Sequence, residues 1–429
     1  MAPVQPRAGL RCAFSKSSPA LLIALGLLPA FASHAQEAWL SEQSVDAAIN
    51  SRTNTFAALQ PDSIRAGPVL LNLGTYVGVT FDDNINTSQN DAKSDTSIHA
   101  GVSFGLDWPA RENSHVQLAS DLGYVTYLAH TRSDSIEIAP NSALTWNMSF
   151  EDGTLTFYDQ FDYSDEVITL PSVAGLNSLP RLENTIGAKV QWSPDKWRLE
   201  AGLSHADFYS PDSAFKYLNR GSEYFSLKGA WSFAENTLAG MEFSASQTDY
   251  QITTQSDSTS YSLGPYASWN VTEFITADIS GGPTIYRFDA AGFEPASTLT
   301  SYYFNFDLSH KLTEFITQRL TTQRSVSLGY EKGNQYTELL SFTYALNWNA
   351  TRNANVELSL TYENGKQPLI LPSVEIENFH RVGISTGMSY RLTEKLGGGV
   401  HFSHWDRISD ISGNNYTENS ISFQMNYSF

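Results

Sequence analysis

Apolar and polar side chains change places at every residue along most of this chain, in runs of about ten residues, which is the length a tilted β-strand needs to cross a membrane. Ile98, Ala100, Val102, Phe104, Leu106 and Trp108 point one way, while His99, Gly101, Ser103, Gly105 and Asp107 point the other. Leu340, Phe342, Tyr344, Leu346 and Trp348 repeat the pattern against Ser341, Thr343, Ala345 and Asn347. So do Val382, Ile384, Met388 and Tyr390 against Arg381, Gly383, Ser385, Ser389 and Arg391. A period of two is the signature of a strand whose two faces meet different solvents.

The runs are punctuated by a weak repeat of roughly forty residues, in which an aromatic or bulky residue closes a strand and a short polar turn follows. Such closings begin at Trp108, Phe150, Trp192, Trp231, Trp269, His310, Trp348 and Tyr390, and a ninth is the C-terminus, Tyr427-Ser428-Phe429. Nine descending strands need nine ascending partners, so the reading is eighteen strands. The other end carries long acidic or Asn-rich loops, such as Asp82 through Asp95. Short turns with an aromatic girdle at one end and long loops at the other are the asymmetry of outer-membrane barrels. The expected fold is therefore all-β: a transmembrane antiparallel up-and-down β-barrel of about eighteen strands. In the last strand Ile421, Phe423, Met425, Tyr427 and Phe429 alternate with Ser422, Gln424, Asn426 and Ser428. That ending resembles the C-terminal signal read by the bacterial barrel-assembly machinery, which would be a partner together with outer-membrane lipid and lipopolysaccharide.

The N-terminus sets the compartment. Arg7, Arg11 and Lys16 precede the apolar run Leu21–Ala30, and Ser33-His34-Ala35 follows it, the layout of a secretory signal peptide cleaved after Ala35. Residues 36–67 read as a periplasmic lead, with a plug inside the barrel as the alternative, and 68–429 as the barrel. Cleavage removes Cys12, so the 394 mature residues (429 − 35) hold no cysteine, and neither disulfides nor thiolate metal sites are expected. The formal charge of −19 becomes −22 once those three basic residues leave. A chain so acidic lacks the basic footprint of a nucleic-acid binder.

The first hairpin, Tyr76 to Ile85 and then Ser94-Asp95, together with the Leu-Thr-Glu turns at Leu312 and Leu392, resembles a known family. It is similar to the β-barrel porins often associated with exopolysaccharide biosynthesis and export clusters. The resemblance implies an outer-membrane, channel-like barrel linked to polysaccharide-export components, and supplies no catalytic residues.

Extending the alternation places Lys189, Arg198, Glu200, Lys228, Glu242, Asp278, Asp307, Arg319, Glu357 and Arg381 on the inner face. Charges of both signs suit a water-filled lumen, where they bias which solute passes; the alternative is that they pair across a filled interior. Arg324 breaks the pattern, because Leu320, Val326 and Leu328 share its phase and should face lipid. A bulge, a register shift or a subunit contact would each account for it. Two outer segments share a sequence, Leu170-Pro171-Ser172-Val173 and Leu371-Pro372-Ser373-Val374, nearly opposite one another on an eighteen-strand ring. Apolar residues on outer loops call for a packing partner: either both loops fold over or into the mouth and narrow it, or the match reflects a loop conformation shared by duplication or chance. The His205/Asp207 and His401/Ser403 neighbourhoods are the nearest approaches to catalytic chemistry, and neither makes a convincing site. No enzyme, cofactor or metal centre is expected. Two function classes remain: a porin-like channel for hydrophilic solutes in the outer membrane, and a structural or adhesive barrel presenting acidic loops.

Overall fold

The computed structural model describes residues 64–130, 134–165, 170–175, 178–292, 295–371 and 373–429. The signal peptide, most of the 36–67 lead and Pro372 lie outside these residues. Eighteen of the described strands form a closed antiparallel barrel in which each pairs with its neighbours in the chain. The first, Val69–Asp82, meets the last, Tyr416–Ser428, from Gly74↔Ser428 to Asp82↔Ser420. The Phe429 N–H then donates to the Leu73 carbonyl at 3.0 Å. Closure matters because hydrocarbon offers no partner to an unpaired backbone group. A nineteenth strand, Ile64–Ala66, folds back on Val69–Leu71 and continues that same edge below Phe429. Gly67 makes the turn at φ +65°, a conformation that favours glycine.

The burial pattern is that of a soluble protein turned inside out. Val77, Val79, Phe81, Leu182, Ile186, Met388 and Phe423 are among many exposed apolar side chains on the outer wall. Ser204, Ser226, Ser260, Thr284 and Ser403 are buried on the inner one. A soluble monomer rarely shows so continuous an apolar surface, and a bilayer requires one. Phe423, Met425, Tyr427 and Phe429 all sit on that wall.

The recurrent turns have a physical cause. In the last four of these turns a threonine hydroxyl accepts two backbone N–H groups. Thr272 accepts from Phe274 and Ile275, Thr313 from Phe315 and Ile316, Thr351 from Asn353 and Ala354, and Thr393 from Lys395 and Leu396, all at 3.0–3.3 Å. The hydroxyl thus satisfies donors that the tight reversal takes out of the ladder. Two-residue turns serve at Arg111↔Ser114, Phe150↔Gly153 and Ala234↔Thr237. Beside these turns Trp108, Phe150, Trp192, Trp269, Phe274, Phe315 and Trp348 are exposed, forming the girdle.

One expectation is corrected. Val326 and Leu328 do not face lipid: they are only 6% and 3% exposed. The strand Ile316–Leu328 pairs with Ser297–Lys311 only from Thr317↔Lys311 to Arg324↔Phe304. Beyond Arg324 the two part company, so the register that puts Val326 on the outer wall no longer applies. Arg324 itself turns back to the gap. Its Nη1 donates to Ser301 Oγ (3.0 Å) and to the Tyr302 carbonyl, and its Nη2 pairs with Glu338 Oε1 at 3.0 Å.

Candidate functional site

The barrel's principal apolar core lies at its outer mouth, inside the ring. Leu170, Val173 and Leu179 of the 165–180 loop pack with Phe208, Leu218 and Tyr330, and Phe215 and Tyr217 lean against them. Phe208 is on the inner face of Trp197–Tyr209, in phase with buried Ser204. Leu218 and Tyr330 come from two further loops. The described residues 170–175 and 178–180 of the 165–180 segment therefore fold into the lumen, because Leu170, Val173 and Leu179 have nowhere else to leave water.

Polar contacts fix that loop to walls far from its own. Arg407 Nε donates to the Pro171 carbonyl and Gln367 Nε2 to the Ser172 carbonyl, each at 2.9 Å. Gly175 N–H donates to the Thr87 carbonyl at 3.0 Å. The loop leaves the ring between its fifth and sixth strands, and Gln367 stands on the fifteenth, almost diametrically opposite. So the loop crosses the whole lumen. Its anchors are themselves buried and paired: Arg407 Nη2 donates to Glu377 Oε1 (2.9 Å), and neither side chain has any exposure. Glu377 also accepts from Ser409, Asn414 and Gln367, so its charge is compensated on several sides. A buried pair so provided for is rigid, and removing one member leaves the other stranded.

A second arginine stands beside the first. Arg381 Nε donates to Glu363 Oε2 at 2.6 Å, and the guanidinium lies 4.1 Å from the Trp405 ring. That ring crosses Gly383, where a Cβ would come within 2.2 Å of it. Across the mouth, Arg181 pairs with Glu183 at 3.1 Å. Arg220 sits 4.6 Å from the Phe208 ring and 5.5 Å from that of Tyr330. Two titratable groups on the inner loops are displaced from their ordinary values. Burial, helped by the charge of Glu377 and opposed by Arg407, lifts the Glu331 carboxyl to about 7. Burial, with the Glu331 charge, pushes the Tyr217 phenol up to about 12.

The inner-face residues named from the sequence fall into a different tier. Except for Arg381, they lie in the half of the barrel nearer the short turns. Lys189 pairs with Glu200 (3.2 Å), Lys228 stands 3.7 Å from Glu242, and Arg319 donates to Asp307 (2.5 Å). Asp278 is directly opposite Asp307 in register, and Asn347 donates to Glu357 at 3.3 Å. Arg198 shares the inner phase of Glu200. Arg407, Arg181, Arg220, Glu363 and Glu377 were missed. Arg407 shares the phase of His401 and Ser403, and Arg181 that of Lys189, so alternation alone could have found both.

The two Leu-Pro-Ser-Val segments have different placements. Leu170, Pro171 and Val173 are in the lumen, as described. The second lies at the tip of a long hairpin, Ala354–Leu371 with Ser373–Arg391, where Leu371 pairs with Ser373 and Ile370 with Val374. That hairpin outgrows its neighbours: pairing with adjacent strands ends at Lys366 on one arm and begins at Phe379 on the other. Of the histidines, His205 is on the outer wall between Asp207 (3.2 Å) and Glu223 (2.7 Å). His401 and Ser403 face inward, where they meet Ser385 and Ser420. Among the described residues no group of three or more His, Cys, Asp or Glu is arranged to hold a metal ion.

A closed eighteen-strand ring with an apolar outer wall, a polar inner wall and a loop across its mouth defines a transmembrane β-barrel with an internal constriction. No protein-family model matches the chain. No curated protein matches it either. Among solved structures it is similar to OccK2 (OpdF) of Pseudomonas aeruginosa, at 11% identity and a TM-score of 0.46, covering 84% of this chain and 98% of that one. It is also similar to the outer membrane protein OpdK of Pseudomonas aeruginosa (11%, TM-score 0.47, 84% and 99%) and to a BenF-like porin from Pseudomonas fluorescens Pf-5 (10%, TM-score 0.48, 84% and 99%).

Proposed function

We propose that this protein is a porin-like channel of the outer membrane, in which small hydrophilic solutes pass a constriction at the outer mouth. The observation that carries the reading is the lumen-spanning loop, held at Pro171 and Ser172 by Arg407 and Gln367. Eighteen strands enclose more space than side chains alone fill, and an inward loop with fixed anchors converts that space into a narrow, shaped passage. Arginines and carboxylates line the approach, so the passage discriminates among solutes by charge as well as size. The terminal strand, with Phe423, Met425, Tyr427 and Phe429 outward, serves as the signal for barrel assembly.

The narrower version, passage of an exopolysaccharide chain, rests on the resemblance in the first hairpin and the Leu-Thr-Glu turns. A spanning loop with a buried core disfavours a passively open route for a polymer, so that version needs a partner that moves the loop. The structural or adhesive reading draws on the same buried mouth core and on the acidic outer loops. Planar-bilayer recordings of the purified mature protein separate the two. Discrete conductance steps that grow when residues 166–178 are replaced by a short Gly-Ser linker support the channel. Absence of steps in both forms removes it.

A further inference from the structure

The ring is not uniformly zipped. At the outer end, neighbouring strands elsewhere stay paired to within two residues or so of a shared end, for example at Phe288↔Ser297 and Leu328↔Tyr336. Between Ser297–Lys311 and Ile316–Leu328 only eight pairs form, against fourteen and thirteen on the two flanking sides. Eight residues at ~3.4 Å each, tilted by ~40°, rise about 20 Å, short of the ~25 Å apolar band of such barrels. The parting therefore begins within the outer leaflet. It leaves Ser297–Tyr303 with strand pairing on one edge only.

Above Arg324 the wall is a lap joint. Tyr286 and Phe288 belong to the inner face of Ile275–Phe288, yet the Tyr286 hydroxyl donates to the Val326 carbonyl at 3.0 Å. The Phe288 ring stacks on Tyr336, 5.8 Å away and tilted 23°, and on Tyr286 at 6.0 Å and 11°. Val326, Leu328 and Tyr336 have the phase that faces lipid elsewhere, so their strands are tucked inside the neighbouring ones. The lapped surfaces form a closed apolar, aromatic slit, separate from the loop core at the mouth. What holds the slit is side chains rather than a ladder: Arg324 with Ser301, Tyr302 and Glu338, Ser301 Oγ donating to Glu338 (2.6 Å), and Ser297 Oγ donating to Gln335 (3.0 Å).

We propose that this seam is a side door between the lumen and the outer leaflet, latched by Arg324 and Glu338, which admits the hydrocarbon chain of an amphiphile while its polar end stays in the lumen. Two features point to that occupant. The slit is aromatic and aliphatic where a purely hydrophilic solute would find no partner. Its outer edge carries Tyr302, 56% exposed, with its ring 3.8 Å from the Arg324 guanidinium; an aromatic with a polar tip suits the membrane interface. Opening exchanges a few side-chain bonds and breaks no strand pairing, so the door can work without unfolding the barrel.

The test is photocrosslinking from the lumen side in phosphatidylethanolamine–phosphatidylglycerol vesicles. p-Benzoylphenylalanine replaces Tyr286, which no lipid chain reaches in a fully zipped barrel, or Tyr266 on the inner face of Ser258–Asn270 as a control. A lipid adduct at 286 and none at 266 is expected by mass spectrometry. Arg324→Gln with Glu338→Gln should raise the 286 adduct at least two-fold. Joining Ser297→Cys to Gln335→Cys with dibromobimane in the chain that carries the crosslinker at 286 and an intact latch should abolish it, and this arm decides the matter if the latch variant does not fold. No adduct at 286, equal adducts at 286 and 266, or an adduct that survives the staple overturns the door. The proposal rests on the barrel's residence in a membrane and not on conductance, so a barrel that passes no ions can still give the adduct.

Discussion

The clamp at the mouth and the Arg319–Asp307 pair near the short turns hold the same kinds of charged residue in opposite circumstances. At the mouth, Arg407–Glu377 and Arg381–Glu363 are buried beneath or beside a loop that crosses the barrel. Nearer the short turns, Arg319 is 63% exposed beside Asp307, while Lys189–Glu200 and Lys228–Glu242 are more shielded. The difference is one of solvent. Burial turns a charge pair into a structural clamp whose loss is costly, while access to water leaves it a tunable part of an electrostatic lining.

Four perturbations test that contrast, beginning with the largest. Arg407→Ala strands the Glu377 carboxylate and frees the Pro171 carbonyl. Breaking such a pair costs on the order of 3–5 kcal/mol. A marked fall in the unfolding temperature in detergent is expected, with larger and noisier single-channel conductance. An unchanged melting curve would show that the loop does not depend on this clamp. Next, Leu170→Ala removes a nearly fully buried side chain from the mouth core. A loss of about 2–4 kcal/mol is expected by chemical denaturation. Little loss would mean that the loop can collapse to fill the space.

The third perturbation is pH. Glu331 titrates near 7 in the folded mouth, above its ordinary carboxylate value, so the folded form binds the proton more tightly than the unfolded form. The sign follows from linkage: this group's contribution to mouth stability is full below the ordinary range and is lost as pH rises through about 7. Conductance fluctuations should thus increase between pH 6 and pH 8, and Glu331→Gln should flatten the change. The smallest effect on stability belongs to the lower tier. Asp307→Asn should leave stability within about 1 kcal/mol and move the reversal potential in a salt gradient toward anions. A large loss of stability there would erase the distinction between tiers.

The two Leu-Pro-Ser-Val segments carry the same lesson at the scale of four residues. One is drawn into the lumen by apolar partners on two other loops and by acceptors for Arg407 and Gln367. The other ends a hairpin whose arms hydrogen-bond to each other up to the tip. Identical local sequence therefore does not decide position; the partners that converge from distant strands do.

What the residues alone determined is the wall. Alternation with period two assigns the strands their lipid and lumen faces, and the aromatic closings with their short polar turns count the hairpins, because pleat and turn geometry are local properties of the backbone. The lower-tier charges followed from the same arithmetic, and Arg407 and Arg181 were within its reach. The mouth was not. Which loop folds inward, which carboxylate meets Arg407, and where the ladder between Ser297–Lys311 and Ile316–Leu328 lets go all depend on contacts between residues scores or hundreds of positions apart. Val326 shows the limit: its phase is right for lipid and its burial is the reverse, because the strand that carries it has slipped behind its neighbours. A periodic pattern fixes the face of a strand, and only the closed ring fixes what that face meets.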